Sequence, residues 1–314
     1  MIGAVTVLTV LIAATAVRAQ AALVPPPRFQ ITCSFVKAAP DDPIVFPNRP
    51  GASHLHEFYG NRAISADTTT AESLAGAASS CPQNDRSAYW VPALYRDGVR
   101  ITPATLSVYY ENKSMSAGRV RSFPPGFKIL MGNARADSAT ATERHWVYAC
   151  SDKTTWGDAP PATCASGGIT LRSEFPNCWD GVLPADGNAT AHLRWADGLP
   201  EPGRGDVIAD PAKNTCPAGY PIPLPMLRVL LVYPTGTTVG DITPASGSPY
   251  SKHGDFFNGW DPATLQGLVD RCLQAVVDCP HFRGTTPAAD VTYRVARAGP
   301  STAVSSAARR AIGG

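Results

Sequence analysis

Hydrophobic residues alternate with polar ones over short stretches of this chain, and turn-forming residues separate the stretches, a pattern typical of β-strands. The segment at 86–101 contains Asp97-Gly98, a favoured hairpin turn, and predicts two strands around it. The almost continuous apolar run of LRVLLVYP predicts a central, fully buried strand. The other strand candidates are FQITCSFV (29–36), TLSVYYEN (105–112) and FKILMGN (127–133).

One helix is indicated near the end of the chain. Asp261 can cap it and Pro262 suits its first turn, and apolar residues recur at helical spacing as far as Val276. The small, polar segment 63–85 is instead typical of a long surface loop. Residues 151–222 are rich in Gly, Pro, Asp and Cys, which predicts loops tied down by disulfides.

These elements predict a mainly β protein with a single β-sandwich or jelly-roll-like domain, long disulfide-tied loops and one late helix. The 30 prolines and 27 glycines suit many turns between short strands. An α+β arrangement with more helix in the loops is the alternative. The domain is expected to span residues 20–284, and the Ala/Arg/Gly/Ser-rich residues 285–314 are expected to be largely disordered.

The N-terminus predicts export. Residues 1–19 form an apolar run that closes on small residues, as in a secretory signal peptide, and no other segment is long enough to anchor the chain in a membrane. The eight cysteines all follow this run. They include no Cys-x-x-Cys pair, the spacing that would indicate a zinc site. We therefore expect four disulfides in a secreted, extracellular protein, with their pairing left open, among Cys33, Cys81, Cys150, Cys164, Cys178, Cys216, Cys272 and Cys279.

Candidate chemistry lies in two short segments far apart in sequence. SHLHEFYGN (53–61) places His54 and His56 two residues apart, and HGDFFNGWD (253–261) places His253 two residues before Asp255. Residues i and i+2 of a strand point to the same side, so each pair presents its side chains together. If the segments meet, three imidazoles and a carboxylate form a ligand set for a divalent transition metal.

The same groups also suit acid–base chemistry, because imidazole titrates near neutral pH. Tyr109 is then a candidate phenolic partner, beside its neighbour Tyr110. Candidate substrate-binding residues are one amide and three aromatic residues that can contact sugar hydroxyls and rings: Asn61, Tyr89, Trp90 and Trp260. A purely structural role competes with these assignments. Large aromatic residues such as Trp90 and Trp260 dominate protein cores, and Asn258-Gly259 suits a turn that Asp255 can hold.

Seven segments in succession resemble a secreted family of fungi and bacteria, domain of unknown function nineteen-ninety-six. They run over about residues 50–275: SHLHEFYGN, SSCPQNDRSAYWVPALY, VYYENK, RSFPPGFKILMGN, FPNCWDG, CPAGYPIPLPMLRVLLVYP and HGDFFNGWD. The resemblance implies an exported, disulfide-bearing domain of cell-wall or polysaccharide environments. It implies no established activity.

The expected function is therefore action on, or at, extracellular polysaccharide or cell-wall glycan through the His/Asp/Tyr site, with or without a metal. If the protein is an enzyme, a polysaccharide lyase or hydrolase is expected. The alternatives are a non-catalytic glycan-binding protein and an extracellular metal-binding protein. A net charge of +2 without a basic run argues against nucleic acid as a partner. The absence of nucleophile-elbow, P-loop and dinucleotide motifs argues against the common enzymes that carry them.

Overall fold

The computed structural model describes residues 26–113, 120–142, 144–183, 189–199, 214–274, 277–283 and 294–295. The predicted signal peptide at 1–19 lies outside the described residues. So do residues 285–293 and 296–314 of the predicted C-terminal tail.

Short strands dominate the described part of the chain. In chain order they are β1 Arg28–Ala39, β2 His56–Gly60, β3 Ala88–Pro92, β4 Leu94–Arg96, β5 Val99–Ile101, β6 Thr105–Glu111, β7 Lys128–Gly132, β8 Trp146–Cys150, β9 Trp156–Gly157, β10 Gly168–Glu174, β11 Cys178–Trp179, β12 Leu193–Arg194, β13 Ile222–Pro223, β14 Met226–Pro234, β15 Ile242–Pro244, β16 His253–Phe257, β17 Val277–Asp278, β18 His281–Phe282 and β19 Arg294–Val295. The helices are α1 Ala71–Ala75 and α2 Pro262–Leu268, and α2 continues as a π-helical segment over Val269–Gln274.

Eleven strands form one large antiparallel sheet that curls on itself. Its order is β7-β16-β3-β2-β1-β6-β14-β10-β8-β9, and β18 runs parallel to β1. The long strand β1 joins the two halves, because its first part pairs with β6 and its last part pairs with β2. The register shifts between Phe35 and Lys37, at the point where β1 changes partner. An irregularity of this kind bends a strand and allows the sheet to curl.

The two halves of the sheet pack face to face around the main core. Tyr89 on β3 and Tyr110 on β6 meet across it, with their hydroxyl oxygens 2.6 Å apart. Core residues come from both halves, including Ile129 and Phe256 on one side and Leu231 on the other. The prediction of a mainly β protein is thereby confirmed. LRVLLVYP is, as predicted, an inner strand, β14, which lies between β6 and β10.

The predicted late helix is present. Asp261 Oδ1 accepts a hydrogen bond from the Thr264 backbone N–H at 2.9 Å and caps α2. The prediction that 63–85 is only a loop was wrong, because α1 forms within it, with Thr70 as its cap. The prediction that 151–222 consists of loops was also wrong. This segment contains β10, a fully buried strand of the large sheet. Its polar residues do not show the apolar pattern by which a buried strand is recognised in sequence.

The expected four disulfides are confirmed, and the structure settles their pairing. Cys33–Cys81 attaches β1 to the long segment that follows β2. The other three close shorter loops around the sheet: Cys150–Cys164, Cys178–Cys216 and Cys272–Cys279. Within the described part of the chain, no helix is both long and apolar enough to cross a membrane.

Candidate functional site

The two histidine segments lie on one half of the large sheet, on either side of β3. His56 of β2 is opposite Pro92 of β3, and Asp255 of β16 is opposite Trp90 of β3. Residues directly opposite each other share a face of the sheet, as do residues two apart on a strand. His56, His253 and Asp255 therefore project from the same face, and His54 joins them from the residues just before β2.

The three imidazoles approach one another through their Nε2 atoms. Nε2 of His253 lies 2.9 Å from Nε2 of His54 and 3.4 Å from Nε2 of His56. These side chains are about two hundred residues apart in sequence, and the fold brings them into direct contact. They form one of the potential metal-ligand clusters among the described residues.

The opposite nitrogens of the two buried imidazoles are held by backbone carbonyls. Nδ1 of His56 donates to the carbonyl oxygen of Asp41 at 2.9 Å, and Nδ1 of His253 donates to that of Ser251 at 2.8 Å. A carbonyl can only accept, so each Nδ1 carries the hydrogen. In the neutral ring Nε2 then carries a lone pair, and both lone pairs point into the cluster. Metal-binding histidines are held in the same way.

Burial keeps these side chains neutral. His56 and His253 are buried, whereas His54 is half-buried. Burial lowers the pKa of His253 to about 4. It lowers the pKa of His56 well below its ordinary value, and the neighbouring His253 and His54 add to the effect. The pKa of His54 is also lowered by burial. At neutral pH the cluster therefore presents nitrogen ligands rather than positive charges.

Two buried carboxylates lie beside His56. Asp255 is 2% exposed, and neither of its oxygens accepts a hydrogen bond from any described residue. Burial raises the pKa of Asp255 well above its usual value, and the nearby Asp42 raises it further. Asp42 Oδ1 accepts hydrogen bonds from the backbone N–H groups of Ile44 and Val45, both at 2.9 Å. One ligand atom each from Asp42, Asp255 and His56 lies within 4.8 Å of the others.

Two glycines allow the strands to approach closely at the site. Gly132 of β7 is opposite His253, has a φ of 109°, and leaves no room for a side chain against the Lys252 carbonyl and the His253 Cβ. A Cβ at Gly254 would lie 2.6 Å from Cζ2 of the Trp146 ring, on the core side of β16. Close packing at these two glycines therefore fixes the backbone around His253.

Two of the other predicted site residues, Tyr109 and Asn61, lie apart from the imidazole cluster. Tyr109 is on β6, in the other half of the sheet, where the guanidinium groups of Arg28 and Arg228 lie over its ring. Asn61 is buried, and its amide donates to the carbonyls of Leu74 and Arg86. The structure thus gives neither residue a contact with the histidines.

The predicted aromatic residues lie in the interior. Trp90 and Trp260 are 0% and 3% exposed, so neither ring offers a face at the surface. Trp260 donates from Nε1 to the Tyr110 hydroxyl, and Tyr89 donates to the Asp85 carboxylate. These groups form a buried chain of hydrogen bonds that links the two halves of the sheet.

Sequence reasoning missed Asp42 and the two carbonyls that orient the imidazoles. Asp42 lies in a Pro-Asp-Asp-Pro turn with no partner at a recognisable spacing, so no local signal marks it. The carbonyls of Asp41 and Ser251 belong to the backbone, which carries no sequence signature. Only the fold reveals this part of the site.

The fold and the site together define a disulfide-tied β domain with a buried cluster of histidines and aspartates. Residues 42–260 match the family described as Domain of unknown function (DUF1996), and the chain belongs to that family. No curated protein and no solved structure matches the chain significantly. The matched range contains all five residues of the cluster.

Proposed function

We propose that the chain binds a divalent transition-metal ion through Nε2 of His54, His56 and His253. One observation carries the proposal: the Nε2 atoms of His56 and His253, both with lone pairs, face each other at 3.4 Å. Two acceptors at this distance repel unless something positive lies between them. His54 can donate one hydrogen to His253, which leaves the His56 lone pair without a donor.

A metal ion satisfies all three nitrogens. Zinc–nitrogen bonds of about 2.0–2.1 Å in a tetrahedron separate ligand atoms by roughly 3.3 Å. The His56–His253 separation of 3.4 Å is close to this value, and the His54–His253 separation of 2.9 Å needs to widen slightly. An additional proton is a poorer candidate, because burial lowers the pKa of His253 to about 4. Imidazole ligands suit zinc, copper, nickel and iron. Three protein nitrogens leave a further position for water or substrate, as in catalytic zinc sites.

His54 is the most exposed of the three imidazoles and therefore lies on the solvent side of the cluster. A metal at this position can lower the pKa of a bound water and so supply a nucleophile or base near neutral pH. We assign such a centre to metal-assisted cleavage of extracellular polysaccharide, by hydrolysis or by a lyase reaction. The choice of polysaccharide as the substrate rests on the cell-wall environment that the sequence resemblance implies. The four disulfides fit an exported protein.

A metal-binding protein without catalysis would use the same three ligands. A glycan-binding protein without a metal is less well supported, because Trp90 and Trp260, the residues expected to stack on sugars, are buried. The metal and the activity therefore need separate tests.

The first test is the metal content of untagged protein, measured by mass spectrometry after dialysis against zinc, copper or nickel. We expect one tightly held ion per chain, lost in His54→Ala and His253→Ala. His281→Ala serves as the matched control, because His281 lies outside the cluster and bonds Thr32. Wild-type protein that retains no ion, or loses none in the two cluster variants, would contradict the proposal.

The second test incubates the metal-loaded protein with a panel of plant, fungal and bacterial polysaccharides. New reducing ends indicate hydrolysis, and unsaturated uronates indicate a lyase. Activity should vanish on chelation and in His253→Ala. Retention on an insoluble glycan without product would favour the binding protein, and an intact metal site without either outcome would favour the metal-binding protein.

A further inference from the structure

The carboxylates beside the imidazole cluster have no cationic partner among the described residues. Asp42 and Asp255 are both buried, at 3% and 2% exposure, and their carboxylates lie close enough to interact. No ion pair of the described part of the chain includes either of them. Buried carboxyl groups are normally neutralised by a proton, a paired cation or a metal ion, and a metal ion can replace the proton.

We propose that Asp42 and Asp255 form a second cation position next to the three-histidine position, so that the centre holds two divalent ions. This inference rests on the proposed function for the first ion. The two ligand triads, His54–His56–His253 and Asp42–His56–Asp255, share only His56. Ligand atoms within 4.8 Å of one another can enclose an ion after small side-chain shifts.

Two unpartnered polar groups on one face of the sheet point to a missing ligand. Neither oxygen of Asp255 accepts a hydrogen bond from a described residue. The indole N–H of Trp90 likewise donates no hydrogen bond to a described residue. Trp90 is fully buried and directly opposite Asp255, so the two side chains are neighbours on that face. A hydrated ion bound by Asp255 supplies the positive charge for the carboxylate and a water that accepts from Trp90.

The donor atoms indicate which ion this second position prefers. His56 has one lone pair, on Nε2, because its Nδ1 hydrogen is donated to Asp41. That lone pair faces the first position, so His56 lies beside the second ion without binding it, and the second ion is held by the carboxylate oxygens of Asp42 and Asp255 and by water. Oxygen ligands suit manganese, calcium and magnesium, whereas the imidazoles suit zinc and copper. The centre should therefore take a nitrogen-preferring ion and an oxygen-preferring ion side by side, in the manner of two-metal sites.

The experiment loads chelator-treated full-length protein with one equivalent of zinc and then titrates it with Mn²⁺. Electron paramagnetic resonance of free Mn²⁺ gives the bound fraction, and mass spectrometry gives both ions per chain. We expect one zinc and one manganese per chain. Asp42→Asn and Asp255→Asn should retain zinc and bind manganese at least about tenfold more weakly, because each loses one of two anionic ligands. Asp67→Asn, at an exposed position outside the site, is the matched control.

Three outcomes overturn the second position: zinc-loaded wild-type protein that binds no manganese, aspartate variants that lose zinc together with manganese, or aspartate variants that bind manganese as wild type does. The second result would make the aspartates ligands of a single ion. Manganese titration of zinc-free protein and of His54→Ala separates the two proposals. If His54→Ala abolishes zinc but keeps manganese, both positions are supported. If wild-type protein binds manganese but never zinc, copper or nickel, the proposed function fails while the second position stands.

Discussion

Two regions of this molecule bury charged and polar side chains, but only one of the regions pairs these side chains with one another. In one half of the sheet, Lys113 lies between two glutamates, 2.9 Å from Glu174 and 3.6 Å from Glu111. Arg228 pairs with Glu111 at 2.6 Å, and Arg172 pairs with Glu174. In the other half, the Asp255 carboxylate has neither an ion pair nor a hydrogen bond with a described residue, and two imidazole lone pairs face each other.

The difference separates a structural network from a binding site. Buried charges that satisfy one another hold neighbouring strands in place, and removing one member leaves its partner uncompensated. Buried groups that remain unsatisfied within the fold are held there by the rest of the structure and are available to a ligand. Substitutions should therefore lower the stability of the first region and change ion binding in the second.

The largest effect is expected from breaking the ion network with Glu174→Ala. Burial by itself raises the pKa of this carboxyl, but Lys113 and Arg172 outweigh burial and lower the pKa to about 2. Removing the Glu174 carboxylate leaves the buried positive charges of Lys113 and Arg172 less well compensated. This should lower the free energy of unfolding by about 3–5 kcal/mol. Urea denaturation at pH 7 measures the loss, with exposed Glu72→Ala as control. A loss below about 1 kcal/mol would mean that the network is not structurally important.

A smaller effect is expected from Gly132→Ala, which crowds the strand pair beside His253. The new Cβ would meet the Lys252 carbonyl and the His253 Cβ. Gly51→Ala is the matched control, because Gly51 also has a positive φ, 75°, but has nothing within 4 Å of the added Cβ. Gly132→Ala should cost about 1–3 kcal/mol more than Gly51→Ala, and it alone should weaken zinc binding. Equal costs would show that strand β7 adjusts freely.

Asp255→Asn should have opposite effects with and without metal. Because the folded-state pKa of Asp255 is raised, its carboxylate destabilises the metal-free protein when the pH is above the ordinary value of 3.8. The metal-free Asn variant should therefore be about 1–2 kcal/mol more stable than wild type at pH 7. This advantage should shrink as pH falls toward 3.8. In the presence of manganese, wild type should regain the advantage, as urea denaturation can show. A metal-free variant less stable than wild type at pH 7 would contradict an unpaired carboxylate.

The pH dependence of metal retention gives the smallest and most specific effect. Protons compete with the metal only below the pKa of the ligand in the metal-free protein. Burial lowers the pKa of all three imidazoles below the ordinary 6.5, so the ion should remain bound as pH falls through 6.5 and be released only at lower pH. Metal retained after dialysis at a series of pH values provides the measurement. Release centred near 6.5 would indicate exposed, ordinary histidines instead.

The sequence predicted well those parts of the fold that local patterns control. Alternation marked β6 and β7, a continuous apolar run marked β14, and a cap followed by proline marked α2. Strand β10 was missed because Arg172 and Glu174 look exposed in sequence, whereas the fold buries them in ion pairs. Helix α1 spans only five residues and has a single buried side chain, too little for a periodic signal.

The candidate site shows the same limit. The i, i+2 spacing indicated which histidines point together, and the fold brings both segments to one face. Asp42 was not foreseeable, because its approach to Asp255 depends on the turn that follows β1. The aromatic candidates were chosen for their chemistry, with a core role as the competing interpretation, and Trp90 and Trp260 are indeed buried. No local spacing distinguishes the two roles, because burial is a property of the curled sheet.

An anomalous diffraction map from a crystal of the zinc-loaded protein, collected at the zinc edge, tests the central claim most directly. We predict a peak about 2.0–2.2 Å from Nε2 of His54, His56 and His253, with the Nδ1 atoms of His56 and His253 still donating to Asp41 and Ser251. A map with no peak at the cluster, and with the three Nε2 atoms still in contact with one another, would contradict it.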